Sequence, residues 1–165
     1  LSWHRSVMAQ SLKLVTVWML IATALFLAVQ AMQHRAERSR FSFDAASGRI
    51  ELKRAPDGHF YWPGRVNGVA VDFLVDTGAT STALPLALAQ QAGLALEGAV
   101  RSSTAGGVVD GRVARADVSL QGGVVAERLR VGVLPRLESP LLGMDVISKL
   151  RLSQHDGVLT LEPMR

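Results

Sequence analysis

Asp76-Thr77-Gly78 is the stretch of this chain whose residue types and setting could do chemistry. A carboxylate, a hydroxyl and a glycine follow an apolar run, Val69-Ala70-Val71-Asp72-Phe73-Leu74-Val75, and continue as Ala79-Thr80-Ser81-Thr82-Ala83-Leu84. A carboxylate held in such a turn can take a proton in one ionisation state and give one in the other, the two halves of general acid–base catalysis. The bare triplet arises readily by chance. Its setting carries the information: a strand-like approach, a small residue and a hydroxyl after the glycine, and an apolar-apolar-glycine element further along, Leu141-Leu142-Gly143.

Other chemistries find few residues to use. With no cysteine in the chain, a thiolate nucleophile, a Cys-based zinc site and a disulfide framework are all excluded. His4, His34, His59 and His155 are scattered, without metal-binding spacing. No Gly-x-Ser-x-Gly elbow and no phosphate loop occurs. Neither a metal nor a cofactor is expected. Asp57-Gly58, Asp110-Gly111 and Asp156-Gly157 lack the intervening hydroxyl, and Asp145 reads as the cap of a short helix rather than a second acid. The candidate catalytic carboxylate is therefore Asp76.

The elements that must position it read as β. Residues 50–53 and 59–66 are strand candidates on either side of Pro56-Asp57-Gly58, and Asn67-Gly68 is a two-residue hairpin signal feeding the strand that ends at Asp76. Residues 85–91 read as a short helix, with Pro85 at its first position and Gly93 closing it. Residues 101–107 and 108–120 read as the arms of a hairpin with small residues near its bend. Inward-facing alternation is expected along Ala114, Ala116, Val118 and Leu120, and again along Val125, Glu127, Leu129, Val131 and Val133. A second helix is expected near residues 146–150, and the Phe60-Tyr61-Trp62-Pro63 cluster reads as core or strand-edge packing. The expected domain, residues 49–165, is all-β with one or two short helices.

On Asp76-Thr77-Gly78-Ala79, the hydroxyl of Thr80 and Leu141-Leu142-Gly143, the chain from about residue 58 to its end resembles the retropepsin-like aspartic proteases. The resemblance is to the small bacterial membrane-anchored kind with a single Asp-Thr-Gly-Ala motif. It implies a closed β-barrel-type domain and an aspartic endopeptidase. It further implies that Asp76 is catalytic, that Thr77 cross-links two active-site loops, and that Gly78 leaves its amide free to approach the carboxylate. Ala79 would be the small residue that follows, Thr80 would hydrogen-bond the outer carboxylate oxygen, and Leu141, Leu142 and Gly143 would pass beneath the loop. Thr104, Ala105, Gly106 and Gly107 would form a flap that closes over substrate and excludes water.

Peptide hydrolysis without a metal or a covalent intermediate needs one group to take a proton from water and another to give one to the scissile carbonyl. Two carboxyls sharing a proton do both. Since the chain supplies one, the enzyme reading requires Asp76 of a second copy across a twofold axis, hence a homodimer acting on a peptide or protein substrate. The alternative is a non-catalytic, membrane-tethered dimerisation or peptide-binding module on the same fold, pairing peptide along a sheet edge.

Charge locates the rest. The net charge of +4 arises entirely before residue 41, because residues 41–165 carry thirteen of the eighteen basic residues and thirteen of the fourteen acids. That distribution suits membrane headgroups and gives no basic face for nucleic acid. Residues 14–32 are uncharged, and these nineteen residues would span roughly 28 Å as a helix, close to the ~30 Å hydrocarbon core. They read as a transmembrane anchor contacting lipid, after an N-terminal tail (1–13) and before a juxtamembrane linker (33–48). A signal peptide cleaved near Val29-Gln30-Ala31 is the alternative. His34, Arg35, Arg38 and Arg40 after the run outweigh Arg5 and Lys13 before it, which favours a cytoplasmic domain by the positive-inside count. The resemblance instead implies a single pass through the bacterial inner membrane with the C-terminal domain in the periplasm, and this is the orientation expected.

Overall fold

Alternating apolar and polar residues from residue 41 onward form short strands in the computed structural model of the chain. The structure describes residues 16–30, 40–104 and 107–164, with the side chains of residues 102–104 left aside. The chain divides into two units, residues 1–39 and 40–165. In the first, residues 16–30 are helical (α1), and Trp18, Leu20, Leu25 and Phe26 are exposed on it. Among the described residues no helix is long and apolar enough to cross a membrane. The anchor read over 14–32 extends past the described part of α1 at both ends. The tail over 1–13 and the linker from 33 to 39 lie outside the described residues.

In the second unit, β1 (Phe41–Asp44), β2 (Arg49–Lys53), β10 (Leu150–His155) and β11 (Val158–Pro163) form an antiparallel sheet in the order β1-β2-β11-β10. The linker read through residue 48 is thus partly strand: β1 pairs with β2 from Phe41↔Leu52 to Asp44↔Arg49. Asp44 makes the turn between them, accepting the Ser47 hydroxyl at 2.6 Å and the Ala46 amide at 3.0 Å. Those bonds hold its carboxyl below the usual range, the Ser47 hydroxyl contributing most.

A second sheet closes on itself. β3 (Tyr61–Val66), β4 (Val69–Val75), β5 (Ala83–Pro85), β6 (Ala99–Thr104), β7 (Gly107–Leu120), β8 (Val124–Leu134) and β9 (Leu141–Leu142) run in the order β3-β4-β9-β5-β8-β7-β6. β3 also pairs with β7, from Gly64↔Leu120 to Val66↔Val118, which turns the sheet into a ring with β6 outside it. Gly64 permits that seam, since a Cβ there would stand 2.6 Å from the Ser119 carbonyl oxygen. Asn67 (φ 46°) and Gly68 (φ 84°) make the tight turn into β4 that the sequence calls for.

Trp62, Phe73, Leu84, Val118, Val131 and Leu142 fill the ring, and Ile50, Leu52 and Leu161 of the four-stranded sheet join the same cluster. Trp62 is fully enclosed, and its indole N–H reaches the Gln121 carbonyl at 2.8 Å, so the largest core side chain leaves no unpaired donor.

Three local expectations need correction. Inward alternation on β7 runs through Ala114, Ala116, Val118 and Leu120 as read, but on β8 the inward set is Ala126, then Val131 and Val133, while Val125 is 60% exposed. The cause is a bulge: β8 residues 127 and 128 face Asp117 alone, so the side-chain parity flips between Ala126 and Leu129. Arg128 takes φ 49° there, and its amide donates to Asp117 Oδ1 at 2.7 Å. Next, α2 spans Leu86–Gln91 with Pro85 as its N-cap rather than its first residue. Gly93 does close it: its amide reaches Gln90 O and the Leu94 amide reaches Ala89 O, a Schellman ending. Finally, α3 spans Met144–Ile147, and its N-cap is Gly143, not Asp145.

Candidate active site

Apolar side chains run β4 into the barrel wall, and the chain leaves that wall at Asp76. Leu74 and Val75 pair in parallel with Leu141 and Leu142 of β9, and the Asp76 amide continues the ladder to the Leu142 carbonyl at 3.1 Å. On the other flank β9 pairs with β5 at Ala83↔Leu141. The short β9 is therefore held between the strand entering the 76–82 loop and the strand leaving it. Leu141 and Leu142 thus form a strand paired on both sides, and Gly143 follows directly after them.

Within the loop the carboxylate is met by backbone donors. The Gly78 amide donates to Asp76 Oδ1 at 2.9 Å, and the Ala79 amide to the Asp76 carbonyl at 3.2 Å. A Cβ on Gly78 would lie 3.2 Å from that same Oδ1, so the glycine is what lets the amide come so close. Asp76 and Ala79 are half-buried, whereas Thr77, Gly78 and Thr80 are exposed. Among the described residues of the single chain, the Thr77 and Thr80 hydroxyls make no hydrogen bond. The Met144 amide donates to the Ala79 carbonyl at 2.8 Å, tying the middle of the loop to α3.

Two participants were not legible as such. Thr82 is fully enclosed; its amide donates to Asp145 Oδ2 at 2.9 Å and its hydroxyl to Asp145 Oδ1 at 2.8 Å. Asp145, read from sequence as a cap, makes no side-chain cap bond and instead grips the loop that carries Asp76. A threonine directly before the apolar strand β5, together with an Asp two residues beyond Leu-Leu-Gly, was the available signal.

A second cluster stands beside the first. The Val75 amide donates to the Phe60 carbonyl at 2.9 Å, which brings the 57–61 turn alongside the start of the loop. There the Tyr61 hydroxyl donates to Asp57 Oδ2 at 2.6 Å and the His59 amide to Asp57 Oδ1 at 3.0 Å. The hydroxyl chiefly, then the amide, hold the Asp57 carboxyl below its ordinary range, and the same hydroxyl bond pushes Tyr61 up. Arg54 covers the Phe60 ring at 5.3 Å.

The expected flap region is the β6–β7 hairpin. Its arms pair from Ala99↔Arg112 to Thr104↔Gly107, with Arg101 and Asp110 in an exposed ion pair at 3.0 Å. Ala105 and Gly106 lie outside the described residues. No group of three or more metal-ligating side chains assembles among the described residues.

Comparison with known proteins adds to this geometry. Residues 62–146 match a family model described as aspartyl protease. An uncharacterised protein of Rickettsia prowazekii (strain Madrid E) is 30% identical over 116 residues, covering 67% of this chain and 49% of that protein. The chain thus spans about half the length of the curated relative it matches. Among solved structures, a retropepsin-like aspartic protease from Rickettsia conorii is similar at 26% identity and a TM-score of 0.58, over 74% of this chain and 94% of that one. The EIAV protease in complex with the inhibitor HBY-793 is similar in fold, at 17% identity and a TM-score of 0.51, over 59% of this chain and 92% of that one.

Proposed function

This chain belongs to the aspartyl protease family and has a mostly β, retropepsin-like fold with few helices, and from that footing we propose that it is a membrane-anchored aspartic endopeptidase active as a homodimer. The observation that carries the reading is the seating of Asp76. The loop is fixed to β9 and α3 along its length, and the carboxylate is oriented by the Gly78 amide, while Thr77 and Gly78 face outward. An oriented carboxylate on an exposed turn is suited to meeting its own copy across a twofold axis.

In the dimer one Asp76 is ionised and the other protonated. The ionised carboxylate takes a proton from water as its oxygen bonds to the scissile carbonyl carbon, and the protonated one gives its proton to the carbonyl oxygen. As the tetrahedral intermediate collapses, one of its hydroxyls returns a proton to the now ionised carboxylate, the C–N bond breaks, and the carboxyl that took the proton from water gives it to the leaving amine. Thr77 links the two loops, the Thr80 hydroxyl, which makes no bond within the described single chain, turns to the outer carboxylate oxygen once the loops meet, and residues 104–107 cover the bound peptide. Residues 14–32 hold the enzyme in the bacterial inner membrane with its C-terminal domain in the periplasm; the exposed apolar side chains of α1 support that anchoring.

Subunit mixing tests this directly. Adding an excess of Asp76→Asn chain to wild type, both full length in detergent, should suppress peptide turnover as mixed dimers form. Turnover that stays proportional to wild-type chain would mean that each chain works alone and that the dimeric mechanism is wrong.

A further inference from the structure

The end of the Asp76 loop is more tightly specified than its beginning. Thr82 is 0% exposed, and each of its polar side-chain and amide atoms is committed. Its amide and hydroxyl donate to the two oxygens of one carboxylate, Asp145, at 2.9 and 2.8 Å, and the hydroxyl oxygen accepts the Gly143 amide at 3.2 Å. Gly143 itself presses on the loop, since a Cβ there would lie 2.5 Å from the Ser81 carbonyl carbon. With the Asp76 amide on Leu142 and the Met144 amide on Ala79, residues 76–82 and 142–145 make one hydrogen-bonded block.

The bond inventory requires a carboxylate. One oxygen faces an N–H and the other an O–H whose oxygen is already accepting, so both Asp145 oxygens serve as acceptors. An amide in the same place would turn its NH₂ either against the Thr82 N–H or toward the hydroxyl, leaving that hydroxyl's proton without a partner. Asp145 is also not occupied with its own helix, whose N-cap is Gly143.

We propose that Asp145 is a positioning residue for Asp76: acting through Thr82, it fixes where the catalytic loop emerges from the barrel and so the geometry in which two Asp76 carboxyls meet. The inference rests on the protease reading above. Productive sites hold their groups to within about 0.5 Å, and a misplacement of about 1 Å can cost on the order of a hundredfold in rate. A side chain that never touches substrate can therefore set the rate.

The test uses full-length chain in detergent, as wild type, Asp145→Ala, Asp145→Asn, Thr82→Val and Thr82→Ser, and reads two quantities. Peptide turnover should show kcat lowered about tenfold or more in Asp145→Ala and Thr82→Val with KM within about threefold. Asp145→Asn should fall between those variants and wild type, and Thr82→Ser, which keeps the hydroxyl, should recover most of the loss seen with Val. Amide exchange should lose protection at Asp76, Thr82, Gly143 and Met144 while the β7–β8 ladder keeps it. If Asp145→Ala fails to fold, the Thr82→Val and Thr82→Ser pair still decides. Unchanged kcat and unchanged loop exchange in these variants would overturn the inference. A wild type no more active than Asp76→Asn would instead sink the protease reading. The positioning claim would then fall with it, whereas an active wild type with unchanged variants overturns the positioning claim alone.

Discussion

The loop that carries Asp76 depends on what Gly143 lacks as much as on what other residues supply. Gly143 has no Cβ to collide with the Ser81 carbonyl, which would lie 2.5 to 2.7 Å away from it. Gly143→Ala should therefore destabilise the fold by about 1–3 kcal/mol, the usual scale of forced overpacking, measurable as a lower urea midpoint at unchanged slope. The Asp57–Tyr61 pair offers a residue-scale test by titration. Its hydroxyl bond depresses the Asp57 carboxyl, so the stabilisation it lends exists above the unfolded-state value and disappears as pH falls through the folded one. In Tyr61→Phe the Asp57 carboxyl should titrate higher than in wild type, as followed by NMR; an unmoved titration would show the bond to be inconsequential. At this scale the Asp76-Thr77-Gly78 turn and the Leu141-Leu142-Gly143 segment were legible as local patterns. Asp145 was not, because an aspartate at the start of a short helix looks the same in sequence whether it caps that helix or reaches a loop residue sixty-three positions away.

Among the elements, turn chemistry and the long hairpin were readable, while side-chain parity was not. Asn67-Gly68 declares its turn through residues that tolerate positive φ, and structure adds that Asn67 is also a clamp. Its Oδ1 accepts the Asp117 amide at 2.9 Å, and its Nδ2 donates to the Ala92 carbonyl at 3.3 Å, joining β7 and α2 to the turn. Asn67→Gly keeps the backbone freedom and loses those bonds, for an expected cost of about 1–2 kcal/mol. Asn67→Ala loses them and also strains φ 46°, so it should cost more, by about another 1 kcal/mol. Equal thermal midpoints for the two would contradict the separation. The bulge on β8 had no such flag, because its positive-φ residue is Arg128, an arginine rather than a glycine or asparagine. The reading of residues 33–48 as linker failed at β1 for a related reason: a four-residue Phe-Ser-Phe-Asp edge strand is too short for its alternation to stand out.

Across the whole molecule, charge divides the chain after residue 40, within one residue of where contacts divide it, between residues 39 and 40. Residues 41–165 being neutral, the proposed anchoring rests on the apolar segment and its flanking cations. Replacing Leu20 and Leu25 of α1 with Lys should release full-length chain from the membrane fraction, since each lysine near a helix centre costs about 2.5–3.5 kcal/mol on insertion. Retention after both changes would rule out this segment as the anchor. On the mechanism proposed above, activity would be a property of two chains, because one chain brings one Asp76 in its loop. The central claim is that this carboxylate performs hydrolysis, and the decisive measurement is peptide turnover by full-length wild type and Asp76→Asn, each verified as folded, against a diverse peptide mixture at mildly acid and at neutral pH. The account predicts cleavage by wild type and none by the variant. Equal cleavage by both, or by neither, would contradict it.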